Sequence, residues 1–155
     1  MITVKLNEAN FEYDIYSLIK AFYPQEEILV DTNPKADQEK VSFSFVVTYA
    51  MEQITITWKI KDAETTRRCD VCYQDRKDTK NRLKRLLYEI LQEISGRELP
   101  WGTLTGIRPT KIPLRMLEEG ADETAIRTYM KDTYLISEEK ETLCTEIAKK
   151  EHRLL

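Results

Sequence analysis

Apolar and polar positions along the chain change rhythm near residue 76. Before it the alternation is mostly of strand type, broken by one helical stretch; after it the helical period takes over. Residues 2–6, ITVKL, alternate and predict a short strand. Asn10 suits a helix cap, and Phe11, Ile15, Leu18, Ile19 and Phe22 then recur at helical spacing until Pro24 marks the stop. EILVD at 27–31 predicts a second strand, and TNPKADQEK at 32–40 a polar loop around Pro34. The strongest β signal follows. Val41, Phe43, Phe45, Val47 and Tyr49 alternate with Ser42, Ser44, Val46 and Thr48, and Ile54, Ile56, Trp58 and Ile60 alternate with Thr55, Thr57 and Lys59. Two such runs close together predict an antiparallel hairpin with one buried face. RRCDVCYQ at 67–74 predicts one more strand.

In the second half, Leu83, Leu86, Leu87, Ile90, Leu91 and Ile94 make a full apolar helical stripe, and Gly96 fits the position just past its end. Leu114 and Leu117 follow, stopped by Gly120. Asp122 suits the cap of a helix carrying Ala125, Ile126, Tyr129 and Met130. Ser137 suits the cap of a last helix, with Glu138 and Glu139 in its dipole-favoured first turn and Leu143, Ile147 and Leu154 as its stripe. KKEHRLL carries no stop signal, from which we expect a longer protein. The expected fold class is α+β. A small antiparallel sheet with a packed helix occupies residues 1–75, and a bundle of about four helices occupies 76–155. There is no internal repeat and no low-complexity segment.

Composition narrows the function. Hydrophobic residues make up 41% of the 155, enough for a core, and charged residues 33% with a net charge of −3. General nucleic-acid and membrane-surface binders need a strong positive field, so neither partner is expected. No apolar run approaches the roughly 18 residues a membrane span needs. The N-terminus lacks the basic-then-apolar layout of a signal peptide. Three cysteines do not make a disulfide framework. A soluble, reduced, cytoplasmic protein is expected.

PWGTLTGIRPTK at 100–111 departs from ordinary globular sequence. It holds two of the four glycines, Gly102 and Gly106, and one of the two tryptophans, Trp101. The glycines permit unusual backbone angles and close approach. Pro109 suits the first turn of a helix, and Pro113 falls in that turn if Thr110 is the cap. Helix N-termini present free N–H groups and partial positive charge, and Arg108 adds a planar fork suited to carboxylate or phosphate. Arg108, Thr110 and Lys111 are therefore candidate anion or substrate contacts, with Trp101, Gly102, Gly106 and Pro109 as loop or interface structure. The competing reading is plain turn chemistry, with Arg108 and Lys111 solvated and Trp101 filling the core.

Other candidates are weaker. CDVC at 69–72 has only Cys144 and His152 as further ligands, at no standard zinc spacing, so no metal site is expected. Cys69 and Cys72 would also face opposite sides of a strand. His152, the single histidine, reads as a surface residue. RKDTKNRLKR at 76–85 has six basic residues and one Asp. Without interleaved aromatics it reads as a solvated face of Arg82, Lys84 and Arg85 opposite the leucine stripe.

LPWGTLTGIRPTK resembles the signature of the HemZ-type coproporphyrinogen dehydrogenases, relatives of the oxygen-independent coproporphyrinogen III oxidases. NRLKRLLYEILQEISGRELPWG and YLISEEKETLCTEIAKKEHRLL resemble the flanking segments of that family, so residues 80–155 match well and 1–75 only in layout. The resemblance implies haem biosynthesis by radical chemistry. S-adenosylmethionine and a [4Fe–4S] cluster on CxxxCxxC would drive oxidative decarboxylation of coproporphyrinogen III propionates. This chain has no CxxxCxxC. The resemblance therefore implies a non-catalytic N-terminal region, with no catalytic residue, leading toward a following radical S-adenosylmethionine domain. Arg108, Thr110 and Lys111 would then face a tetracarboxylate porphyrinogen. Alternatively the segment is a docking module, with Trp101 and Ile107 covered by the next domain, or an RNA-binding accessory domain.

Overall fold

The computed structural model describes residues 1–105 and 108–154. In chain order the elements are β1 (Ile2–Leu6), α1 (Glu12–Phe22), β2 (Ile28–Asp31), a 3-10 turn at Gln38–Lys40, β3 (Phe43–Ala50), β4 (Gln53–Ile60) and β5 (Ala63–Asp70). Then come α2 (Arg76–Ser95), α3 (Lys111–Glu118), α4 (Glu123–Tyr134) and α5 (Glu138–Leu154). The chain divides into two compact units, Met1–Gly96 and Arg97–Leu155. The fold class is α+β, as expected.

The first unit is built on one five-stranded sheet in the order β2-β1-β3-β4-β5. The β3–β4 hairpin is antiparallel and β5 extends it, but β1 runs parallel to both β2 and β3. The sheet is therefore mixed, though mostly antiparallel, because α1 carries the chain from β1 across to β2 in the same direction. Alternation puts Val4, Phe45 and Trp58 in one cross-strand row and Leu6, Val47 and Ile56 in the next, all buried. Each such side chain contributes about 1.5–3 kcal/mol on leaving water. α1 buries Ile15, Leu18, Ile19 and Phe22, and Phe22 meets Tyr88 of α2 edge-on at 5.2 Å.

α2 belongs to this unit, so its boundary falls after Gly96 rather than after residue 75. The leucine stripe is buried from Leu83 to Leu91, and Arg67 of β5 ion-pairs with Glu93 while covering the Trp58 ring at 5.6 Å. Lys84 corrects the expected solvated face: it is buried, and burial pushes its ammonium below the ordinary lysine value. The other corrections here are local. β5 starts at Ala63 and stops at Asp70, because AETTRRCD is too polar for apolar periodicity to find its start. Asn10 is not the cap of α1. Phe11 holds that position in the left-handed region (φ 56°), its ring buried against Tyr49, while the Asn10 carbonyl accepts the Tyr49 hydroxyl at 2.7 Å. Burial of the Phe11 ring outweighs a side-chain cap.

In the second unit, Ile126, Met130, Tyr134, Ile136 and Cys144 form the core, with Trp101, Leu104, Ile112 and Met116 packed against it. Asp122 caps α4 by accepting the Ala125 N–H at 2.7 Å, and the Ser137 hydroxyl accepts the Lys140 N–H at 3.2 Å, both as expected. Ala125 itself is exposed. The expected stripe of α5 is on the wrong side: Leu143, Ile147 and Leu154 are exposed, and Glu141, Cys144, Thr145 and Ala148 are buried instead. A polar clamp sets this rotation. Arg127 of α4 reaches the buried Glu141 at 3.2 Å, Thr145 donates to the same carboxylate at 3.2 Å, and the small Cys144 and Ala148 let the helices close. Among the described residues no helix is long and apolar enough to cross a membrane.

Candidate functional site

The segment at 100–105 folds as two consecutive turns, with the Gly102 N–H donating to Leu99 O at 2.9 Å and the Leu104 N–H to Trp101 O at 3.1 Å. Gly102 has φ +57°, and a Cβ on it would meet Tyr134 O at 1.9 Å and Leu135 backbone atoms at 2.6 Å. No other residue fits that backbone and that neighbour together. The turn is locked to the junction of α4 and α5. The Thr103 N–H donates to Tyr134 O at 2.8 Å and the Ser137 N–H donates to Pro100 O at 2.9 Å. These bonds satisfy a carbonyl at the end of α4, which would otherwise lack an intrahelical partner. Trp101 is half-buried on the core of the second unit, with the Lys140 ammonium 5.5 Å from its ring centre. Gly106, and Ile107 with it, lies outside the described residues.

Pro109 and Thr110 lead into α3. Thr110 stands at the cap position and is buried, yet its hydroxyl does not cap, because its backbone is already helical (φ −67°, ψ −18°). Pro113 sits in the opening turn, where its missing N–H costs nothing. Arg108 turns to α5 and pairs with Glu151 at 3.3 Å, its side chain 65% exposed. Lys111 is exposed on the first turn of α3 and makes no ion pair among the described residues. Arg108 therefore already faces a carboxylate of this chain, Thr110 is buried and Lys111 points to solvent.

The strongest electrostatic cluster of the second unit is the α4–α5 clamp. Arg127 bonds Glu123 at 3.0 Å, and Lys149 bonds the same Glu123 at 3.2 Å. Those two hydrogen bonds, Arg127 first, hold the Glu123 carboxyl below its ordinary value and raise both cations. The periodicity of the chain gave no sign of this clamp; the spacing of Glu123 and Arg127 at i and i+4 was the available signal.

Cysteine and histidine chemistry is sparse. Cys69 is half-buried in β5, where burial raises its thiol, Cys72 is exposed, and Cys144 is buried in α5. Burial and, secondarily, Glu141 push the Cys144 thiol up to about 11. His152 is exposed. Among the described residues no three His, Cys, Asp or Glu side chains are grouped to hold a metal.

No family model matches the chain, nor does any solved structure. The chain is 38% identical over 71 residues to the oxygen-independent coproporphyrinogen-III oxidase-like protein HemZ of Bacillus subtilis (strain 168). The match takes in 46% of this chain and 14% of that protein's length. The chain is thus similar, over part of its length, to a HemZ-type protein.

Proposed function

We propose that this chain is an accessory, non-catalytic region of an oxygen-independent coproporphyrinogen-III oxidase-like enzyme of haem biosynthesis, and that its second unit serves as a docking module for the rest of that enzyme. The observation that carries the parentage is the 38% identity over 71 residues to a HemZ protein. S-adenosylmethionine and a [4Fe–4S] cluster belong, on this reading, to the following radical domain. The donors of this chain do not suit a cluster: it has no CxxxCxxC, and Cys144 is buried with its thiol strongly protonated.

Docking is supported by the exposed apolar stripe of Leu143, Ile147 and Leu154 on α5, while the turn at 100–104 is already spent on internal bonds. In the full-length enzyme the amides of α5 are expected to exchange more slowly with deuterium than in the 155-residue chain. Equal exchange in both would sink the docking reading. Failure of the full-length enzyme to turn over coproporphyrinogen III anaerobically with S-adenosylmethionine would sink the parentage.

A second reading keeps Arg108, Thr110 and Lys111 as contacts to the propionates of a tetracarboxylate porphyrinogen. The exposure of Lys111 at the start of α3, without an ion pair among the described residues, favours it. Here Arg108 must leave Glu151 to engage substrate. Calorimetric titration with a tetracarboxylate porphyrin, against the Arg108→Ala/Lys111→Ala variant, decides it. Binding that survives the double substitution removes this role.

A further inference from the structure

The first unit carries a cationic groove that the haem reading does not use. Arg76, Lys77 and Lys80, on the first two turns of α2, line it together with Phe11 and Asp14 at the start of α1; its volume is about 400 Å³. That size falls in the range of small-molecule clefts. Three features single the groove out from an ordinary solvated helix face.

The first is charge placement. The N-terminal end of a helix is already partly positive, so cations there are disfavoured. α2 nevertheless opens with Arg76, Lys77 and Lys80, and a local rule broken without gain to the fold marks a functional position. The second is that the acids at the start of α2 are engaged elsewhere. Asp75 accepts the Asp78 N–H at 3.0 Å and Asp78 pairs with Arg82 at 2.8 Å, which leaves Asp14 as the carboxylate among the residues that line the groove. Lys77 and Lys80 form no ion pair among the described residues, and the charge of Lys80 bears on the buried Lys84. The third is the pose of Arg76. Its guanidinium carbon lies over the Phe11 ring, 4.3 Å from the ring centre, and its N–H donors are unspent among the described residues. An arginine held over a ring with open donors is preorganised for an oxyanion. Phe11 is in turn held by its contact with Tyr49, 6.1 Å between ring centres.

We propose that this groove binds a compact polyanion, a small molecule bearing two or three phosphate groups. Three cations within two helical turns match clustered charge better than a single oxyanion does. An extended nucleic-acid strand fits less well on a chain of net charge −3. Phe11 is also too buried to serve as a base platform.

The test is calorimetric titration of the 155-residue chain with tripolyphosphate at low and moderate salt. One saturable site is expected, weakened at least tenfold by Lys77→Gln/Lys80→Gln and also by Arg76→Ala. The charge-matched control Lys35→Gln/Lys61→Gln, on exposed positions elsewhere in the unit, should bind like the parent. Arg76, Lys77 and Lys80 are at the surface, and circular dichroism of each variant verifies the fold. No saturable binding overturns the proposal, as does equal weakening by the control. A single-stranded oligonucleotide that binds more tightly through the same residues overturns the compact ligand.

Discussion

The α-carbon of Gly102 lies so close to Tyr134 that a Cβ there would meet the Tyr134 carbonyl oxygen at 1.9 Å. Gly96 shares the positive φ, at +69°, but a Cβ on it meets nothing within 4 Å. The two positions separate backbone strain from steric exclusion. Gly96→Ala should cost about 1–2 kcal/mol, the strain of a left-handed residue alone. Gly102→Ala should cost about 2–5 kcal/mol, because displaced backbone adds about 1–3 kcal/mol to that strain. Urea denaturation of both variants measures the difference, and equal losses would mean that the turn at 102 is not locked to α4.

Asn7 continues the β1–β3 ladder with its side chain. Its amide donates to Tyr49 O at 3.0 Å and accepts the Tyr49 N–H at 2.8 Å. Asn7→Ala removes both bonds and should cost about 1–3 kcal/mol. Asn7→Asp keeps the acceptor and loses the donor, so its loss should be smaller at acid pH, where the carboxyl is protonated and can donate. Thermal unfolding at two pH values reads this out.

The thiols should separate by burial. A thiol reagent at neutral pH should label Cys72 rapidly, Cys69 slowly and Cys144 only on unfolding, because only Cys72 is exposed. Stability should also fall at high pH. The Cys144 thiol rises from 9.0 to about 11 on folding, so the native state keeps its proton longer than the unfolded state does. That contribution is whole below about pH 9 and is lost as pH approaches about 11. The Tyr49 phenol, raised by burial, titrates higher still. Cys144→Ala should therefore flatten the loss between pH 9 and 11, as chemical denaturation at both ends would register.

Leu143 and Ile147 are 45% and 36% exposed, and Leu154 is 87% exposed. Leu143→Glu/Ile147→Glu should leave the stability of this chain within about 0.5 kcal/mol, as surface changes do. If the docking proposal holds, the same pair in a longer protein carrying the partner domain should loosen the second unit and raise its proteolysis rate. A large stability loss in the 155-residue chain would mean that the stripe is core after all.

Periodicity in the sequence located β1, α1, the β3–β4 hairpin and α2 because each repeats apolar residues at the period of its element. It missed the first half of β5, whose residues are polar on both faces, and it turned α5 the wrong way. The buried face of α5 is chosen by Glu141, Thr145 and two small residues, which a count of large apolar side chains passes over. The parallel pairing of β1 was hidden because register between distant segments leaves no local trace. Within the turn at 100–111, the demand for glycine at Gly102 was legible. The partner that imposes it, Tyr134, was not, being 32 residues away and visible only once α4 is in place. The groove of α2 was half legible: its cations were counted, but the Phe11 ring that orders Arg76 comes from the other end of the unit.

β1 lies inside the sheet, bonded on both sides, yet neither neighbour is close to it in sequence: Ile2 pairs with Ile28 on one flank and with Phe43 on the other. The hairpins of β3, β4 and β5 close short loops and can form early. β1 depends on them, since its place is defined by a strand some forty residues downstream. Contact order therefore predicts that the first unit orders from its middle outward, with β1 among the last of its strands to be fastened.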